Sequence, residues 1–175
     1  QVKKVIGVVP QEIALYPTLS ARENLAFWGK MYGLRGAHLK ERIAAVLEVA
    51  GLTDRADGKV EEFSGGMKRR LNIAGGLLHE PKVLFMDEHT VGIDPQSRRR
   101  ILDTVKELNQ RGLTVLYTTH YMEEAEELSD RIGIIDHGKL IAVGNQKDLT
   151  NTVGEDDLLR ISLEHEGAEA DKLAA

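Results

Sequence analysis

"FSGGMKRRLNIAGGLLHEPKVLFMDEHTVGIDP", Phe63 to Pro95, decides the fold. It opens on a Ser-Gly-Gly turn and runs into a basic helix whose Met67, Leu71, Ala74 and Leu78 repeat at 4-3-4 spacing. Gly75 and Gly76 inside that helix each cost ~1 kcal/mol against Ala, which predicts close backbone packing there. The apolar run "KVLFMDE" then predicts a fully buried strand, and Asp94 with Pro95 supplies the cap and first residue of another helix. The strand ends in two adjacent carboxylates, Asp87 and Glu88, at the edge where α/β sheets bind ligands. If the strand stays extended they point to opposite sides and take different tasks. One can hold Mg²⁺ through its water shell and the other can polarise a water for attack. The Ser-capped glycine turn offers backbone N–H groups and a helix dipole to an oxyanion. All of this suits phosphate and metal, yet the 175 residues contain no G-x-x-x-x-G-K-[ST] loop.

Upstream, "VIGVVPQE" (Val5 to Glu12) predicts a strand apolar on both faces and stopped by Pro10. Gln11 closes it, with an amide oxygen able to ligate a cation. Ser20 and Glu23 form a capping box for a helix through Met31 or Tyr32. A second helix is expected from about His38 to Ala50, buried along Leu39, Ile43, Leu47 and Ala50 and stopped by Gly51. Downstream of Pro95 the helix stripe is Ile101, Leu102, Val105 and Leu108. The strand "LTVLYTTH" follows and ends at His120, whose imidazole could bond a terminal phosphate oxygen and the attacking water. After a short acidic helix, "RIGIIDHGKLIAVG" predicts a hairpin turning at His137-Gly138. Strands alternating with helices indicate an α/β domain with a largely parallel sheet, interrupted by a helical block over residues 18–64.

The composition, 42% hydrophobic and 29% charged, is that of a globular protein. A formal charge of -5, partly from the acidic stretch beyond Glu155, argues against a nucleic-acid partner. Absent cysteine removes disulfide and thiolate-metal chemistry. No apolar run approaches the ~20 residues of a membrane span, so action at a membrane would need a partner.

Taken in order, "VVPQE", "FSGGMKRRL", "VLFMDEHT", "GIDP" and "TTH" resemble the nucleotide-binding domain of ABC transporter ATPases from the glutamine loop onward, over Val5 to about Leu149. The resemblance implies a P-loop NTPase (RecA-like) core over residues 1–17 and 65–150, an inserted helical subdomain over 18–64, and a C-terminal extension over 151–175. It implies ATP and Mg²⁺ as ligands. Gln11 matches the glutamine that senses Mg²⁺, and Ser64, Gly65 and Gly66 match the signature motif. Asp87 matches the aspartate that supports Mg²⁺, Glu88 the catalytic glutamate, Asp94 the loop aspartate that communicates across the dimer, and His120 the switch histidine. In this family two such domains sandwich ATP head to tail, so one chain's signature faces the nucleotide of its partner. The implied partners are a second ATP-binding domain and integral membrane permease subunits, at the cytoplasmic face of the membrane. The phosphate loop is then expected upstream of Gln1.

Two consequences follow from the resemblance. The family's sheet places the strand that leads into the phosphate loop between the strand ending at His120 and Ile132 to Ile135. Strands 5–9, 82–87 and 113–118 are therefore expected as neighbours in that order, with the hairpin not continuing their ladder. His89 stands where the family pattern has Pro, freeing a backbone N–H beside Glu88 and leaving tolerated variation and reduced turnover both open. "PTLSARENLAFWGKMYGL" is most similar to multidrug- and sodium-export ATPases. The alternative is a soluble ABC ATPase. The chromosome-maintenance type is excluded by the short block between Gln11 and Ser64, which has no room for its coiled coil; the translation type usually carries two such domains.

Overall fold

The computed structural model describes residues 2–153. Strands β1 (Ile6–Val9), β2 (Val83–Asp87) and β3 (Thr114–Thr118) form a parallel sheet in the order β1-β2-β3, as the resemblance implies. Register sets Val8 beside Phe85 and Phe85 beside Leu116, while Val9 pairs Met86 and Met86 pairs Tyr117. Two strands are shorter than expected. β1 stops before Pro10, which has no N–H to give a ladder, and β3 stops at Thr118, short of His120.

Between β1 and β2 the chain forms α1 (Ala21–Met31), α2 (Gly36–Val49) and α3 (Gly65–Leu77). The Ser20–Glu23 capping box closes the start of α1 in both directions. Leu39, Ile43 and Leu47 of α2 are buried with Leu25 of α1 and Leu71 of α3 in one core that continues to Val9, Leu84 and Met86 of the sheet. α3 crosses β1 with almost no clearance. A Cβ on Gly76 would lie 2.7 Å from Val9 Cγ2, and one on Gly7 would lie 2.5 Å from the Gly76 carbonyl oxygen. Gly75 meets nothing within 4 Å, so only one of the two helix glycines is there for packing. Helix α4 (Pro95–Gln110), capped by Asp94, adds Ile101 and Val105 to the same core, and α5 (Met122–Leu128) follows β3.

The three strands do not have two buried faces. Val8, Phe85 and Leu116, adjacent in register, are 58%, 38% and 54% exposed. Their unbroken apolar sequences predict full burial, but among the described residues the buried core lies on the Val9, Leu84, Met86 side.

The chain divides after Ser129 into a second unit. Its strands β4 (Ile132–Asp136) and β5 (Lys139–Gly144) form an antiparallel hairpin with a register shift at Ile134/Ile135. His137 and Gly138 turn it with φ of 45° and 74°, the left-handed pair of a tight hairpin turn. The hairpin is a two-stranded sheet of its own. Helix α6 (Gln146–Val153) enters the expected C-terminal extension, whose remaining residues, 154–175, lie outside the described ones.

Candidate active site

Because the three strands are parallel and in register, their carboxyl ends lie side by side, and the residues just beyond them converge. Glu88 Oε2 accepts a hydrogen bond from Gln11 Nε2 at 2.9 Å, and Glu88 Oε1 lies 3.2 Å from His120 Nδ1. One carboxylate thus meets an amide from the β1 end and an imidazole from the β3 end. Glu88 itself has left the strand. Its φ is 44°, so the alternation expected of an extended pair does not set the directions of Asp87 and Glu88. Thr118 holds this turn: its hydroxyl donates to Asp87 Oδ1 and accepts from the Glu88 N–H at 3.2 Å.

The Gln11 loop is fastened from α3. Arg69 donates to the Gln11 carbonyl, while Asn72 donates to the Pro10 carbonyl at 3.3 Å and accepts from the Ala14 N–H at 3.2 Å. Trp28 adds a bond from its indole to the Ala14 carbonyl at 3.2 Å. Asn72 is buried and polar, and sequence reading passed over it because it lies among apolar helix residues.

Ser64, Gly65, Gly66 and Asp94 form a second group at the adjacent starts of α3 and α4. Ser64 Oγ accepts from the Met67 N–H at 3.2 Å and Asp94 Oδ1 from the Ser97 N–H at 2.9 Å. The bonds to Ser97 hold the Asp94 carboxyl below the usual carboxylate range. The two glycines differ in kind. A Cβ on Gly66 would fall 2.1 Å from Ser97 Oγ, whereas one on Gly65 meets nothing within 4 Å. Gly66 lets the two helix starts touch, and the space over Gly65 is open.

His89, in the position after Glu88, is turned inward and wholly buried, with neither ring nitrogen hydrogen-bonded. Desolvation, with Arg69 adding to it, pushes its pKa down to about 4. The imidazole therefore serves as a neutral filler. The backbone explains what its presence permits: Pro at 89 would drive the preceding residue toward extended conformations and away from the φ of 44° found at Glu88.

The profile of the family described as "ABC transporter" matches residues 1–91. Linearmycin resistance ATP-binding protein LnrL of Bacillus subtilis (strain 168) is 62% identical over 161 residues, covering 92% of this chain and 52% of the relative. Nod factor export ATP-binding protein I of Cupriavidus metallidurans is 45% identical over 152 residues, covering 87% of this chain and 50% of the relative. The solved structure of cbiO1 from Clostridium perfringens, described as part of the ABC transporter complex cbiONQ, superposes with a TM-score of 0.77 at 28% identity, covering 85% of this chain and 60% of that one. This chain spans about half the length of the curated relatives it matches. A family profile over more than half of the chain and relatives 62% and 45% identical over most of it show that the chain belongs to the ABC transporter family.

Proposed function

We propose that the chain is the part of an ATP-hydrolysing subunit that carries the base, the switch histidine and the signature turn, and that the whole protein powers export across a membrane. The observation that carries this reading is the Glu88 carboxylate suspended between Gln11 and His120 at the carboxyl edge of the sheet.

Glu88 accepts the proton of the attacking water, and Gln11 and His120 stop its carboxylate from rotating. Bound Mg²⁺ would supply positive charge against the phosphate oxygens. Asp87 and the Gln11 Oε1, left free when Nε2 turns to Glu88, are the oxygens that would hold it. Among the described residues no cluster of His, Cys, Asp and Glu could hold a metal alone, which suits an ion ligated mainly by water and phosphate. Ser64, Gly65 and Gly66 present N–H groups to the nucleotide of a second copy, and the open space over Gly65 supports this head-to-tail arrangement. Asp94, capping the neighbouring helix, stands beside that turn.

The membrane partner is an integral permease. Tyr16, Phe27 and Met31 are exposed beside the Gln11 loop, with Tyr16 and Phe27 edge to face at 5.0 Å, and offer it an apolar docking patch. No helix among the described residues is long and apolar enough to cross a membrane, and it is the permease partner that would place this subunit, as a peripheral protein, at the cytoplasmic face. In the full-length protein Glu88→Gln is expected to keep ATP binding and to lower turnover by roughly 10²- to 10⁴-fold, measured as phosphate release. Wild-type turnover in that variant would overturn the reading.

A further inference from the structure

Glu124 lies in the first turn of α5 with 1% of its surface exposed. Its Oε1 accepts from Thr90 Oγ1 and Arg98 Nε, both at 2.7 Å. Its Oε2 accepts from Thr119 Oγ1 at 2.7 Å and the Tyr117 hydroxyl at 2.9 Å. A carboxylate has about four acceptor positions, so this one is saturated. Burial pushes its pKa up, but the four hydrogen bonds outweigh burial and hold it below the usual carboxylate range. A buried charge persists only where it is paired and bonded in this way.

Three of the four donors come from segments that carry the proposed chemistry. Thr90 is two residues after Glu88, Arg98 lies in the turn that follows Asp94, and Thr119 directly precedes His120. Thr119 Oγ1 also accepts from the Tyr121 N–H at 3.0 Å, and the Arg98 guanidinium lies 4.3 Å over the Tyr121 ring. His120 is therefore flanked by Thr119, which bonds the carboxylate directly, and by Tyr121, which is held through Thr119 and Arg98.

We propose that Glu124 is a positioning residue: it fixes the Thr119–Tyr121 turn, and through it the placement of His120 against Glu88. This rests on the hydrolytic reading above and assigns Glu124 a task within it. A merely structural tie between α4 and α5 would lower stability but would not depend on His120.

The test is a mutant cycle in the full-length protein, with Glu124→Gln and Thr119→Val made alone and in a His120→Ala background. A misplacement of about 1 Å at a reacting group can cost ~10²-fold, so Glu124→Gln should lower kcat by roughly 10- to 100-fold. KM for ATP should stay within about twofold, since the carboxylate acts on the chemical step and not on nucleotide affinity. In the His120→Ala background the same substitution should change single-turnover hydrolysis by less than about threefold, because the group it positions is gone. Thr119→Ser, which keeps the hydroxyl, should behave as wild type. Wild-type kcat in Glu124→Gln, or an equal loss with and without His120, would overturn the inference. If Glu124→Gln does not fold, Thr119→Val, which leaves three donors in place, carries the same comparison. Full turnover in His120→Ala alone would instead bring down the hydrolytic role of His120, and this inference with it.

Discussion

At position 89 the chain buries an imidazole without a hydrogen bond, and the consequence is a stability that depends on pH. Above the ordinary histidine pKa of 6.5 the ring is neutral both folded and unfolded and contributes no slope. As pH falls below 6.5, the unfolded chain takes up a proton that the folded ring refuses until about pH 4. Stability is therefore lost between those values and levels off below them, by about 3 kcal/mol in all at ~1.4 kcal/mol per unit. Chemical denaturation in the presence of a chelator, from pH 7 to pH 4, should show that slope in the wild type and lose that part of it in His89→Leu. An equal slope in both would mean that the ring is solvated. The departure from Pro was legible in the sequence, but its inward turn was not, since it depends on which atoms surround it. The φ of Glu88 was hidden for the same reason: Thr118, thirty residues away in sequence, bonds that turn.

The starts of α3 and α4 show how a local signal and a tertiary one combine at the level of elements. Ser20, Ser64 and Asp94 were readable as caps because a cap is written within four residues. That Gly66 rather than Gly65 holds α3 to α4 was not readable, because the neighbour it meets is Ser97. The two glycines make separable predictions. Gly66→Ala overpacks against Ser97 and should cost about 1 to 3 kcal/mol in thermal or denaturant unfolding. Gly65→Ala has open space and better helix propensity, so stability should hold or rise by up to ~1 kcal/mol. Its methyl should instead weaken ATP-dependent pairing of two copies, read by gel filtration of the full-length protein carrying Glu88→Gln. Normal pairing in Gly65→Ala would remove the turn from the proposed interface.

Across the molecule, helix placement followed from the alternation of apolar runs and strand order from the family resemblance, whereas the coverage of the sheet followed from neither. Periodicity reports that a strand is apolar on both faces; it does not report what lies against each face. Val8, Phe85 and Leu116 form an exposed apolar row across all three strands, and β1 and β3 are its edges. Such a surface favours association. The 175-residue chain by itself should therefore show concentration-dependent light scattering. Phe85→Lys with Leu116→Lys should reduce that scattering while leaving the far-ultraviolet spectrum unchanged. Monodisperse wild-type chain at high concentration would refute this.

Gln11, Glu88 and His120 hang on three different strand ends, and only the ladder aligns those ends. Asp87 pairs with Thr118 and Val9 with Met86. A slip of β2 by one residue would carry Glu88 about 3.3 Å along and turn every strand side chain to the other face. Contacts of 2.9 Å and 3.2 Å to Gln11 and His120 do not survive such a shift. The site thereby proofreads the sheet beneath it: a mispaired molecule is silent instead of wrongly active. Activity regained on refolding then counts only those molecules whose strands have found their proper partners.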